Sequence, residues 1–403
     1  MELLRLEHTK LWRKTSVKVS VVLCFAYMVI FGGILSFQWF NFGSMDGYTT
    51  AFGNHFDGYS MIKNKQEYAL SFEGELTDET VQRLVKDYQR MKAAGMDEEL
   101  QKTDYQTVNS WLMLLWPELY DKADYRSMIS YVNPERLTGL YERRAQAIED
   151  FLENSNQIGS EREYILRMEE KVDTPLHYNW TEGWSIQLGD TVESLGTVMA
   201  LFLAITLSSM FAGEWHDNTS SLVMTTRNGW KEIAAVKIFT GVAFAVELSA
   251  ILLLGTLITQ VFYLGIDGWD MPIQNIKMLA VAPMNMLQAE LYEFAFALLG
   301  AVGYAGIVML ISAAVKNNVL ALLCSLAVVY GPPMIAGYLP FEIQKAIDLI
   351  PLAGSGADIF RTNTFSIFGK VIWSPYLLIV VPVLIGIACM PLTIMKWSKR
   401  HKV

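Results

Sequence analysis

Residues 238–264 read IFTGVAFAVELSAILLLGTLITQVFYL. The run carries a single charged side chain, Glu247. It is long enough to cross a bilayer, since a spanning helix needs about 20 mostly apolar residues. Five more runs of this kind lie around it, at 19–40, 191–213, 289–315, 318–338 and 372–395. The run at 318–338 is interrupted near its end by Gly331-Pro332-Pro333, which predicts a break or a re-entrant turn there. The expected fold class is an α-helical polytopic membrane protein: six transmembrane helices, with a mainly helical extracellular domain between the first and second spans.

Composition agrees. Over 403 residues, 52% are apolar and 18% charged, and the mean hydropathy is +0.26. Soluble domains carry nearer a quarter charged residues. The net charge of -9 is unevenly spread: residues 41–190 hold 15 Lys/Arg against 27 Asp/Glu. An acidic block set into an apolar, slightly basic chain argues against nucleic-acid binding. The three cysteines, Cys24, Cys324 and Cys389, all lie in apolar runs, so the acidic block has no disulfide framework.

Charge near the span ends sets the orientation, because Lys and Arg favour the cytoplasmic side. Residues 1–18 carry Arg5, Lys10, Arg13, Lys14 and Lys18, and residues 396–403 carry Lys396, Lys399, Arg400 and Lys402. Six spans put both termini on that side. Residues 1–18 are expected as an amphipathic interfacial helix with Leu4, Leu11 and Trp12 on one face, and 396–403 as a cytoplasmic tail. Residues 41–188 are the expected extracellular domain. Within it Thr77 caps a helix bearing Val81, Leu84, Val85 and Tyr88, Asn133-Pro134 starts a second, and Ser160-Glu161-Arg162-Glu163 reads as a capping box. Residues 41–75 suit short strands or loops. Residues 339–371 are too apolar for a free loop and read as an outer re-entrant segment of half-helices.

The loop between the second and third spans, residues 214–232, reads EWHDNTSSLVMTTRNGWKE. Here the chain resembles the permease subunits of ABC transporters of the second exporter type. The resemblance rests on Glu214 closing the second span, on Thr219, Leu222, Thr225, Thr226, Arg227 and Gly229, and on Lys237 opening the third. Asn218 stands where the family usually has Gly. The resemblance implies that 214–232 is a coupling loop, its short helix docking in a groove of a cytoplasmic ATPase. Glu214, Thr219, Leu222, Val223, Met224, Thr226 and Arg227 would be the coupling residues, the apolar ones acting as anchors. It also implies a second permease subunit, identical or not, and a substrate that is a peptide or another amphipathic molecule. The large insertion after the first span is similar to that of a Gram-positive subgroup that exports, or protects against, antimicrobial peptides.

The chain has no Gly-x-x-x-x-Gly-Lys-Ser/Thr phosphate loop, so ATP and Mg²⁺ are expected on a separate ATPase subunit, with no cofactor in this chain. Glu247, about ten residues into its span, costs roughly 2.5–3.5 kcal/mol at such a depth. With no basic residue nearby in sequence it reads as an unpaired intramembrane polar site, either on a transport path or structural. Glu290 and Glu293 are expected at the outer interface, and Gly300, Gly303 and Gly306 are expected to allow close helix packing. Two other classes stay open. An intramembrane hydrolase would need a His-Glu-x-x-His, a Ser-Lys or an Asp pair at depth. A receptor would bind a peptide through the outer domain and signal through a partner ATPase.

Overall fold

Five stretches of the computed structural model are long and apolar enough to cross a membrane: Leu195–Trp215, Lys231–Leu264, Met286–Ala314, Asn318–Ala336 and Ser374–Ser398. The chain is therefore an α-helical membrane protein. The structure describes residues 2–30, 47–50, 53–96, 100, 102–122, 124, 126–155, 157–188, 192–216 and 229–399. In order, the first helices are α1 (Glu2–Arg13), α2 (Thr15–Tyr27), α3 (Gly58–Leu70), α4 (Asp78–Ala93), α5 (Tyr105–Leu115), α6 (Leu140–Asn154), α7 (Ser160–Glu169) and α8 (Glu182–Ile186). There follow α9 (Val192–Leu207), α10 (Ser209–His216), α11 (Gly229–Leu264), α12 (Met286–Ala314), α13 (Asn318–Ala336), α14 (Phe341–Asp348) and α15 (Ser374–Lys399). Three small antiparallel pairs join β1 (Tyr48–Thr49) to β2 (His55–Phe56), β3 (Gly74–Glu75) to β4 (His177–Tyr178), and β5 (Thr364–Ile367) to β6 (Lys370–Trp373).

The bundle is built around α12. Its glycines let α15 approach to backbone distance: a side chain on Gly303 would run into the Pro382 carbonyl, and one on Gly306 would lie 3.0 Å from Gly386 Cα. Small residues at such a crossing give the close van der Waals packing that holds helices together in lipid. The second expected span is split at Ser208. The Ser312 hydroxyl seals the split, donating to the Ser208 carbonyl at 2.6 Å and accepting from the Phe211 and Ala212 amides at 3.0 Å. One donor and two acceptor positions are thereby all used.

Residues 58–188 form a helical unit at one end of the bundle. Val81, Leu84, Val85, Tyr88 and Met91 of α4 are buried at helical spacing against Trp111, Leu112 and Trp116. Thr77 accepts the Thr80 amide as the cap of α4, and the Asp78 carboxylate crosses to cap α6, accepting from the Gly139 and Leu140 amides at 2.8 and 2.9 Å. The unit is fastened to the 265–285 connection by Arg144. Its buried guanidinium donates to the Met278 and Ala280 carbonyls at 2.7 and 2.9 Å and pairs with Glu169.

Several expectations need correction. The helix expected at Asn133-Pro134 makes only a 3-10 turn, Pro134–Arg136, and α6 begins at Leu140 after the left-handed Gly139. α7 starts where expected, but its cap is Gly159 and no side chain caps it. α3 occupies residues expected to be strands or loops. α13 runs straight through Pro332 and Pro333 to Ala336, so the proline pair does not break it. Residues 339–371 hold one short helix, α14, a 3-10 turn at Gly356–Phe360 and the β5–β6 hairpin, in place of paired half-helices. The expected first span, 19–40, begins within α2, and its residues 31–40 lie outside the described residues. On α1, Leu4 and Leu11 are seven residues apart and share a face of the helix as expected; Leu11 is buried against the bundle, and Leu3, Leu4 and Leu6 are exposed.

Candidate functional site

At the end of the bundle opposite the helical unit, α1 lies against α11, and four charges alternate around one point. Lys237 Nζ, on α11, lies 2.7 Å from Glu214 Oε1 at the end of α10 and 3.3 Å from Glu7 Oε2 on α1. It also donates to the Met210 carbonyl at 3.2 Å. Lys10 closes the ring, 3.4 Å from Glu214 and 3.7 Å from Glu7. Lys237 and Glu214 are 2% and 6% exposed. Burying such a pair costs several kcal/mol per ion unless every donor is used. Here the three donors of Lys237 have three acceptors.

Beside this ring Lys14 donates to Ser209 Oγ at 3.0 Å. Burial, with the charges of Lys237 and Lys10 nearby, pulls Lys14 down to about 8. This is the Ser-Lys contact that a hydrolase would need.

Glu247 has partners that sequence did not supply. Its carboxylate accepts from His8 Nε2 at 2.8 and 3.1 Å and from Trp12 Nε1 at 3.1 Å, and the Trp12 ring meets Phe244 edge-on at 5.7 Å. The expectation of an unpaired carboxylate is corrected. The partners sit 235 or more residues away in the chain, and they reach Glu247 because α11 starts at Gly229, well before the apolar run. At 1.5 Å per residue its 36 residues make about 54 Å, nearly twice a hydrocarbon core of about 30 Å. Counting from the first apolar residue therefore misjudges depth.

Of the residues singled out in the 214–232 loop, Glu214 is in the cluster just described, with Lys237 beyond the loop. Thr219, Leu222, Val223, Met224, Thr226 and Arg227 lie outside the described residues. What the structure adds is that the two ends of that loop are tied together, and both are tied to α1.

A second polar centre lies at the opposite end of the bundle. Glu290 and Glu293 of α12 are 2% and 0% exposed, which corrects their expected place at an interface. Glu290 accepts from Gln187 at 3.1 Å. Neither oxygen of Glu293 has a hydrogen-bond partner among the described residues, and its carboxylate fills the space where a side chain on Gly356 would stand. Asp358, on the 3-10 turn, accepts from Asn363 at 2.8 Å, and burial raises it above the usual carboxylate range. Burial also raises Asp348 to about 6, with Asp358 adding to the effect. Among the described residues no three acidic, His or Cys side chains converge as metal ligands.

Comparison with known proteins returns nothing: no family model, no curated protein and no solved structure matches the chain.

Proposed function

We propose that the chain is the transmembrane subunit of an ATP-driven ABC exporter that moves, or confers resistance to, a peptide or amphipathic substrate. On this reading it sits in the plasma membrane of a Gram-positive bacterium with six spans and both termini in the cytoplasm. Residues 41–188 face outward. The chain is not itself an enzyme: ATP and Mg²⁺ bind a separate cytoplasmic ATPase, and two permease subunits, alike or different, complete the assembly.

The observation that supports the reading best is the Glu214–Lys237 pair at 2.7 Å. A coupling loop must pass a push from the ATPase into the spans. That requires its flanks to move as one body with the helices behind them. Glu214 and Lys237 flank residues 217–228, share a buried ion pair, and hold α1 through Glu7 and Lys10. A push on the loop would therefore reach α10, α11 and α1 together.

A second reading, a receptor that signals through a partner ATPase, is favoured by the Arg144 fastening. Through it, a change in the helical unit would be felt by the connection between α11 and α12. The experiment for the leading reading is purification of the tagged chain from its own membranes. An ATPase bearing a phosphate-binding loop should accompany it. Leu222→Asp with Met224→Asp should release that ATPase while the chain stays in the membrane. Absence of any such ATPase from the wild-type preparation would refute both readings.

A further inference from the structure

The helical unit is acidic overall, yet one of its surfaces is basic. Arg83, Lys86 and Arg90 are exposed along α4, at spacings of three and four residues, which puts them on one helical face. They line a cleft of about 760 Å³ together with Lys102 and with Tyr68, Phe72 and Met91. Residues 41–190 contain 15 Lys/Arg against 27 Asp/Glu, so four cations around one cleft run against the local balance. Asp87 is the one acidic residue in the described lining; it pairs with Arg90 and accepts from the Tyr68 hydroxyl at 3.0 Å, so Arg90 is already partnered and Arg83 and Lys86 are the cations on which the site depends. Arg83 lies over the Phe72 ring at 5.0 Å and Lys102 over the Tyr68 ring at 5.8 Å. The stacked Arg83 guanidinium keeps its charged edge at the cleft while the rings and Met91 offer apolar surface. Asp97 to Glu99 lie outside the described residues.

We propose that this cleft binds a phosphate-bearing ligand. Its volume falls in the range of small-molecule sites, roughly 300–1,000 Å³. Several cations converging on so small a space call for several negative charges on few atoms. A phosphate ester or diphosphate supplies these, and a single carboxylate does not. Arg83 offers a planar fork that matches phosphate oxygens in pairs. The phosphate can come from a lipid headgroup or from a free phosphorylated solute. The binding stands whether or not an ATPase partner exists.

The test uses the full chain purified in detergent, with binding followed by thermophoresis at two salt concentrations. The probes are dioctanoyl phosphatidic acid, inorganic pyrophosphate and dioctanoyl phosphatidylcholine. Phosphatidic acid or pyrophosphate should bind at least tenfold tighter than the zwitterionic lipid, and more weakly at high salt. Tighter binding of phosphatidic acid than of pyrophosphate identifies a lipid source, and the reverse a free phosphorylated solute. Arg83→Gln with Lys86→Gln should weaken binding at least tenfold. Both side chains are exposed, so the fold should survive, and an unchanged thermal midpoint checks that. Lys122→Gln with Lys171→Gln, elsewhere on the same unit, should leave binding unchanged. Equal binding of all three probes, no binding of either phosphate probe, or equal loss in both double variants would overturn the proposal.

Discussion

Glu214 Oε1 lies 2.7 Å from Lys237 Nζ, and the two residues bracket the part of the chain expected to meet an ATPase. Both are buried, so each depends on the other. Removing one partner of a buried pair typically costs about 3–5 kcal/mol, because a charge is left without compensation. Lys10, at 3.4 Å from Glu214, offsets part of this.

Lys237→Met should therefore lower the thermal midpoint of the purified protein clearly. Glu214→Gln combined with Lys237→Met should recover much of the loss, since no charge is then stranded. Thermal unfolding of wild type, both single variants and the double variant gives the cycle. Strictly additive losses would show that the pair is not coupled.

Glu247 holds α1 to α11 through His8 and Trp12. Glu247→Gln retains an acceptor for the indole, whereas Glu247→Leu removes it. One such bond to a charged group is worth about 1.5–3 kcal/mol. Hydrogen exchange of residues 2–13 should stay within a fewfold of wild type in the Gln variant and rise tenfold or more in the Leu variant. Unaltered exchange in Glu247→Leu would mean that α1 is held by its other contacts alone.

Sequence reading finds the apolar helices because each needs a long run of one residue class, and that signal is local. It finds α4 for the same reason: Thr77 and the Val81-Leu84-Val85-Tyr88 spacing lie within a few turns. It fails where the deciding partner is remote. Nothing near Glu247 announces His8 and Trp12, and nothing near Glu293 announces Gly356. Asp78 looks like an ordinary first-turn acid of its own helix until α6 is brought against it. Proline is the opposite failure, a strong local signal overruled. Pro332 and Pro333 each forgo an intrahelical bond for want of an N–H, but they lie in the last turns of α13, so only a short stretch of helix follows them. The loop residues read from the family resemblance, Thr219 to Arg227, were legible only as a pattern.

In the helical unit, Asp104 sits by Lys65, Glu182 and Tyr178. Burial raises it to about 6, helped by the Glu182 charge and opposed by Lys65. A carboxyl whose folded value exceeds its unfolded one favours the neutral form on folding. The unit should be least penalised below about pH 4, lose stability as pH rises towards 6, and change little from this group above that. Because Asp104 is only half-buried, the penalty is of order 1–2 kcal/mol after allowing for solvent screening. Asp104→Asn should raise the thermal midpoint at pH 7.5, and the gap from wild type should shrink as pH falls below 6 and close below about pH 4. A gap independent of pH would assign the effect to shape instead of charge.

The central claim is that residues 217–228 dock on an ATPase. A cysteine at Met224 tests it in membranes, in a background with Cys24, Cys324 and Cys389 replaced by alanine. A short bifunctional thiol reagent should join that cysteine to an ATPase, and the yield should change when ATP is added. A cysteine at Asp121, on the helical unit, should give no such product. Cross-linking from Asp121 but not from Met224 would contradict the account, and so would no ATPase adduct from Met224 in membranes where the chain is abundant.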